Sequence, residues 1–258
     1  MVVSFLTEQG GVGKTSLVFN LGWYIASKGY KTLLIDLDPQ GGNLSRLLGV
    51  EDLDNRPGVV DTLVDPIKYS FSKIAVNIRE NLDLIPANED AMNIPEMYER
   101  NEQDVAFLKK SIDKVKKKYD YIFIDTSPAP SISHILSLVA SDQLIIPLIP
   151  DVKSIAATQN VIETYKMVKK NSNKKLIIGG LVYNKYEQRS AIAQIVKEAL
   201  DTAYSKADFS FTNTKIPVNT DLVRAWGAKE GVTDSAKSSS KGAKAYRQLA
   251  AELFGIEE

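Results

Sequence analysis

The chain of 258 residues contains no cysteine and one histidine, His134. Without cysteine there is no disulfide, no thiolate metal site, no cysteine nucleophile and no cysteine-held iron–sulfur cluster. One histidine rules out a histidine-rich metal site. His134 sits in an apolar helical stretch and reads as structural. No apolar run approaches the ~18 residues that a membrane span needs. The first residues enter an apolar stretch directly, with no basic region and no cleavable segment, so a soluble, cytoplasmic protein is expected.

Charge of either sign in excess is also missing, since 32 Lys and Arg balance 32 Asp and Glu. That balance alone argues against a nucleic-acid partner. The distribution is uneven, however: residues 1–150 carry 15 basic against 20 acidic side chains, and residues 151–258 carry 17 against 12. A basic surplus of this size fits a solvated face or a modest anion-binding face. With 44% apolar and 25% charged residues, the composition is that of one globular α/β domain over residues 1–258.

What the chain does have is Glu8-Gln9-Gly10-Gly11-Val12-Gly13-Lys14-Thr15-Ser16 between an apolar run, Val2 to Leu6, and a helical pattern. A strand, a glycine-rich turn and a helix form a phosphate cradle. Backbone N–H groups of Gly10, Gly11, Val12, Gly13 and the helix start surround phosphate oxygens, and Lys14 adds a point charge. The Thr15 hydroxyl is placed for Mg²⁺, with Ser16 beside it. The full pattern has glycine where this chain has Glu8, so the match is to a variant. Two further apolar strands end in acid, Leu33 to Asp38 and Tyr121 to Asp125, as metal and water positioning at a phosphate site requires.

Apolar runs at Thr32–Asp38, Leu82–Pro86, Tyr121–Asp125, Gln143–Ile149 and Leu176–Asn184 predict further strands, with a late one at Phe209–Ile216. Helices are predicted over 14–28, 102–118, 131–141, 153–170, 188–204, 220–229 and 242–254, with short broken pieces in 43–75. Strands alternating with helices give a doubly wound, mostly parallel sheet whose ligand sites lie beyond the strand carboxyl ends. The lysines of 114–118 read as the basic last turn of a helix in preference to a nucleic-acid patch.

The segments GGVGKTS, DLDPQGG, YDYIFIDTSPAP and the stretch from Thr214-Lys215-Ile216-Pro217 to Tyr246 resemble the ParA/MinD group of P-loop ATPases over nearly the whole chain. The resemblance implies ATP with Mg²⁺, sandwiched between two subunits of a homodimer. It implies Lys14 on the phosphates, Thr15 on Mg²⁺, Asp36 and Asp125 orienting the metal's waters, and Asp38 polarising the attacking water. An aspartate at a strand end is otherwise a helix cap or turn former. Asn184 matches the position that bonds adenine, and Pro217 lies in the loop near the base.

The family's signature lysine, which reaches the partner's phosphates, is Gln9 here. Lys153, just beyond a strand's carboxyl end, is the candidate replacement; it stands at a helix start, where the dipole disfavours a cation. Absence of the signature lysine makes the chain similar to the carboxysome-positioning, McdA-like subgroup, with plasmid or chromosome partition as the alternative. The resemblance further implies a cargo adaptor and nonspecific binding to nucleoid DNA through Arg189, Lys185, Lys215 and Arg224, with Lys206, Lys229, Lys237, Lys241 and Lys244 as further candidates. Val218 stands where the family often has an arginine. A membrane-bound MinD-like role is disfavoured by the acidic end Glu257-Glu258, and no substrate pocket of a metabolic ligase is evident.

Overall fold

Strands arise where β-branched and large apolar residues run together, at β1 (Val2–Phe5), β2 (Thr32–Asp36), β4 (Leu82–Ile85), β5 (Tyr121–Asp125), β6 (Gln143–Leu148) and β7 (Ile177–Tyr183), and in one half-polar edge segment, β3 (Val76–Arg79). The structure is a computed structural model describing residues 1–38, 43–88, 104–234 and 239–257. The strands form one seven-stranded sheet in the order β3-β4-β2-β5-β1-β6-β7. Every neighbouring pair is parallel except β3 with β4.

Ten described helices flank the sheet: α1 (Lys14–Ser27), α2 (Asn43–Leu47), α3 (Asp61–Val64), α4 (Phe71–Ile74), α5 (Phe107–Asp113), α6 (Ile132–Ala140), α7 (Val152–Asn171), α8 (Ala191–Ala203), α9 (Thr220–Gly227) and α10 (Lys241–Phe254). Strand side chains alternate between the two faces. On one face Phe123, Leu34 and Phe5 meet Leu17 and Leu21 of α1 and Tyr246 and Leu249 of α10. On the other, Ile122, Ile124, Leu33 and Ile35 meet Leu108 and Ile112 of α5 and Leu136 of α6. A third cluster joins Val161, Tyr165 and Val168 of α7 and Leu200 of α8 to β6 and β7. Burial of both faces explains the unbroken apolar character of the strands. α1 lies so close to the sheet that a Cβ on Gly22 would come within 2.6 Å of Leu34 Cδ2.

The register places the acids. Asp36 and Asp125 are cross-strand partners at the carboxyl ends of β2 and β5, and Phe5 of β1 pairs with the same Asp125. β1 has β5 on one side and β6 on the other. Chain order reverses there, where α/β sheets open a ligand crevice.

Two expectations need correction, and one strand was not expected. The helix predicted for 102–118 is α5 alone, followed by a 3₁₀ turn at Lys116–Lys118; residues 102 and 103 lie outside the description. Val115 turns into the core while its lysine neighbours stay exposed. The predicted strand at 209–216 contributes one isolated bridge, Phe211 to Leu181, and a second, Pro217 to Tyr186, lies just past its end. Its middle is drawn off the sheet by Glu252 of α10, whose carboxylate accepts the N–H groups of Asn213 at 2.6 Å and Thr214 at 2.9 Å. The edge strand β3 was not predicted, because its Val-Asn-Ile-Arg pattern is half polar and short.

Candidate active site

The loop after β1 turns on glycines at two positions of positive φ, Gly11 at 74° and Gly13 at 84°, a region that strains a side chain. Gly13 is the N-cap of α1. A Cβ there would also approach Asn184 Nδ2 to 2.5 Å. Lys14, the first helical residue, turns its ammonium into the strand ends. It donates to Asp125 Oδ1 at 2.6 Å and to the Thr126 carbonyl. Both partners of the ion pair are buried.

Burial pushes the Asp125 carboxyl up, and Lys14 draws it back. Its Oδ2 is buried without a hydrogen-bond partner. Asp36 is fully buried and accepts from Ser45 N–H at 3.0 Å, the Ser45 hydroxyl at 2.7 Å and Asp38 N–H at 3.1 Å. Burial, then the neighbouring Asp125, raises its pKa to about 7. Among the described residues no three His, Asp or Glu side chains cluster to chelate a metal. Two carboxylates, one with an orphan oxygen, beside a Thr15 hydroxyl suit Mg²⁺, which keeps most of its ligands from water and phosphate.

A cavity of about 630 Å³ opens over Lys14 and Thr15, with Gln9, Asp38, Lys185 and Trp226 on its walls. Asp38 is buried, and Asn43 Nδ2 stands 3.4 Å from its Oδ2. A smaller, more apolar pocket of about 330 Å³ adjoins it at Gly13, Ser16, Lys185 and Trp226, and contains both Asn184 and Pro217. The pair is thus brought together where a base would follow phosphates. Asn184 is also tied to the loop: its Nδ2 donates to Val12 O at 2.7 Å. The residues Pro39 to Gly42 of the DLDPQGG segment lie outside the described residues.

Gln9 and Lys153 meet through a third residue. Gln9 Nε2 donates to Asp151 Oδ2 at 2.8 Å, and Asp151 Oδ1 caps α7 by accepting Ser154 N–H at 3.0 Å. Gln9 Oε1 is buried with no donor. Lys153, the second residue of the same helix, is exposed and lines neither cavity of its own chain.

The DNA candidates separate into groups. Arg189 borders a groove with Lys241, which with Gln188 also borders a second groove containing Lys215. Lys215 lies 4.6 Å from the Tyr186 ring centre. Arg224 pairs with Asp221 at 3.3 Å and Lys229 with Glu51 at 3.6 Å. Lys244 and Lys206 are exposed, and Lys237 is outside the described residues. Lys185 departs from the set: its Nζ donates to Gly11 O at 2.6 Å. His134 is buried, its Nε2 2.9 Å from Ser127 O, as a structural histidine would be.

The residues missed from sequence are supports. Ser45 and Asn43 hold the acids, Asp151 holds Gln9, and Trp226 stands between the two pockets with a buried, unpartnered Nε1. Only Asp151, before a helical pattern, carried a local signal, that of an N-cap.

A family described as an AAA domain matches residues 1–178. The chromosome-partitioning ATPase Soj of Treponema pallidum is 34% identical over 251 residues, covering 96% of this chain and 95% of that protein. The sporulation initiation inhibitor protein Soj of Bacillus subtilis is 32% identical, over 98% and 97% of the two chains. Among solved structures, the ATP complex of a Cyanothece McdA variant aligns with a TM-score of 0.86 over 100% of this chain and 97% of that one, at 21% identity, a likeness of fold. With the glycine loop, its lysine and the paired strand-end acids at one crevice, the chain belongs to the ParA/MinD-type family of P-loop ATPases.

Proposed function

We propose that the protein is a Mg²⁺-dependent ATPase that dimerises around ATP, binds DNA without sequence preference and positions a cargo through an adaptor protein. The observation that carries the catalytic part is the buried Lys14–Asp125 pair beside Asp36, with Asp38 on the wall of the same cavity. Lys14 holds phosphate charge, and the N–H groups of the glycine loop supply fixed dipoles. Bound Mg²⁺ would neutralise charge developing on the phosphate oxygens, held by Thr15 and, through water, by Asp36 and Asp125. Asp38 orients the water.

The pocket holding Asn184 and Pro217 takes adenine. The dimer reading is supported by exposed apolar side chains: Val218 and Val223 border the smaller pocket, and Val152 and Ile155 stand on the first turn of α7, next to Asp151, which bonds Gln9. The DNA reading rests on Arg189, Lys215 and Lys241, which share adjoining grooves. It places the protein on the nucleoid in the cytoplasm.

Gln9 in place of the signature lysine favours carboxysomes as the cargo. A plasmid or chromosome is the second reading, favoured by the 34% identity to a chromosome-partitioning Soj. Capture of partners by the hydrolysis-blocked, ATP-bound protein in its host separates the two.

The deciding experiment on chemistry is Asp38→Ala. It should leave ATP binding within about twofold and reduce turnover by at least ~10²-fold, because Asp38 positions water and does not hold the nucleotide. Loss of ATP binding, or turnover at the parent rate, overturns the assignment.

A further inference from the structure

A glycine loop can cradle an anion only while its N–H groups face the anion, and this chain spends two side chains of one neighbouring segment on holding it so. Peptide units are planar and trans, so the carbonyl of one residue and the N–H of the next point in opposite directions. Fixing the carbonyls of Gly11 and Val12 on one side therefore fixes the N–H groups of Val12 and Gly13 on the other. Those two carbonyls accept from Lys185 Nζ at 2.6 Å and from Asn184 Nδ2 at 2.7 Å. Around Gly10 and Gly11 nothing else lies within 4 Å of where a Cβ would be.

Lys185 reaches the loop from an uncommon backbone. Its φ is 50°, left-handed and sparsely used by a residue with a side chain. The conformation is held from both sides: before it Asn184 N–H bonds Leu148 O at 2.8 Å at the end of β6 and Lys185 N–H bonds Asn184 Oδ1 at 2.9 Å, and after it Tyr186 N–H bonds Ile216 O at 2.9 Å. An exposed lysine in a strained conformation whose ammonium is committed to one carbonyl departs from the usual solvated side chain. Lys185 also borders both pockets of the site.

We propose that Lys185 is a positioning residue of the nucleotide site: its ammonium tethers the Gly11 carbonyl, presets the glycine loop for phosphate, and adds positive potential at the mouth of the cavity. The inference rests on the reading that this cavity binds ATP, and it removes Lys185 from the DNA-contacting set. A preset loop spares the ligand the cost of ordering it. The effect belongs mainly to nucleotide affinity and less to the rate of the chemical step.

The test compares ATP binding by calorimetry and steady-state ATPase for the parent, Lys185→Ala, Lys185→Gly and Lys185→Arg. Lys185→Ala should weaken ATP binding about tenfold, raise KM by a similar factor and lower kcat less than threefold or so. Lys185→Gly removes the backbone strain as well as the ammonium. It should lose ATP affinity as Lys185→Ala does while unfolding at a temperature no lower than the parent, which separates the tether from a role in folding. Lys185→Arg keeps a donor for Gly11 O and should recover most of the affinity. ATP binding by the Ala and Gly variants within about twofold of the parent overturns the proposal. So does a lower salt slope of DNA binding in Lys185→Ala with nucleotide affinity intact, which returns Lys185 to the DNA face. Failure of the parent itself to bind ATP sinks the reading of the cavity along with the inference built on it.

Discussion

Two buried groups link stability to pH with opposite signs. Asp36 has a folded pKa of about 7 against an ordinary value of 3.8. Its protonated form is favoured by folding, so its contribution to stability is complete below pH 3.8 and is lost as the pH rises through 7. His134 is held below its ordinary 6.5 by burial, against the Ser127 carbonyl that favours its charged form. Its contribution is present above pH 6.5 and is lost as the pH falls. Because His134 is the only histidine, the two are separable. His134→Gln keeps a donor for Ser127 O and removes the titration; between pH 7 and 5 its melting temperature should hold or rise, while the parent's falls relative to it. Parallel curves by scanning fluorimetry would show that His134 does not charge on unfolding. At this scale the sequence was informative about chemistry: Lys14, Asp36, Asp38 and Asp125 meet because spacing and strand ends bring them together. It was silent on Ser45, Asn43 and Trp226, whose contacts are tertiary.

Among the elements, agreement follows periodicity. Strands buried on both faces, such as β5, announce themselves as unbroken apolar runs, and α1, α7 and α10 sit within two residues of their predicted spans. Misreadings occur where a side chain from elsewhere decides the backbone. The stretch from Phe209 to Ile216 has the composition of a strand, yet Glu252 lies 38 residues beyond Thr214 and claims its N–H, together with that of Asn213. Burial alone would push the Glu252 carboxyl up, but those two N–H bonds hold it below the ordinary value. Glu252→Ala should cost about 1 kcal/mol, two charge-assisted bonds discounted for an exposed carboxylate. The measurement is the urea midpoint at unchanged m, together with faster hydrogen exchange at Asn213 and Thr214 only. Unchanged exchange there would mean that the segment is shaped by its bridges to β7. The lysines of 116–118 also sit differently from the expectation: the helix ends at Asp113, Val115 is buried, and the basic run rides on a 3₁₀ turn.

For the whole molecule, zero net charge conceals a face with Arg189, Lys215 and Lys241 in adjoining grooves. If DNA is the track, ATP-dependent binding should weaken with salt by about −0.9 in log affinity per log salt for each phosphate neutralised, and Arg189→Ala should lower that slope by roughly one. Binding that ignores salt or nucleotide removes the DNA reading. The proposed dimer raises a sharper electrostatic question, because two nucleotides facing one another would repel and Gln9 brings no charge. Lys153 has no ion-pair partner among the described residues and is the second residue of α7, against the helix dipole, beside exposed Val152 and Ile155. In the proposed dimer, Lys153 is the cation offered to the partner subunit's phosphate. Lys153→Ala, placed in the Asp38→Ala background to exclude turnover, should keep ATP binding through Lys14 but fail to dimerise by light scattering. Restoring the signature lysine as Gln9→Lys should rescue it only in part, because the new ammonium would meet Asp151, which now accepts from Gln9 at 2.8 Å. Asp151→Asn keeps a good N-cap for α7 while removing that competing charge. The combination of Gln9→Lys and Asp151→Asn should therefore dimerise better than Gln9→Lys alone. Equal rescue with and without Asp151→Asn, or full dimerisation of Lys153→Ala, would show that the charge across the interface comes from another residue.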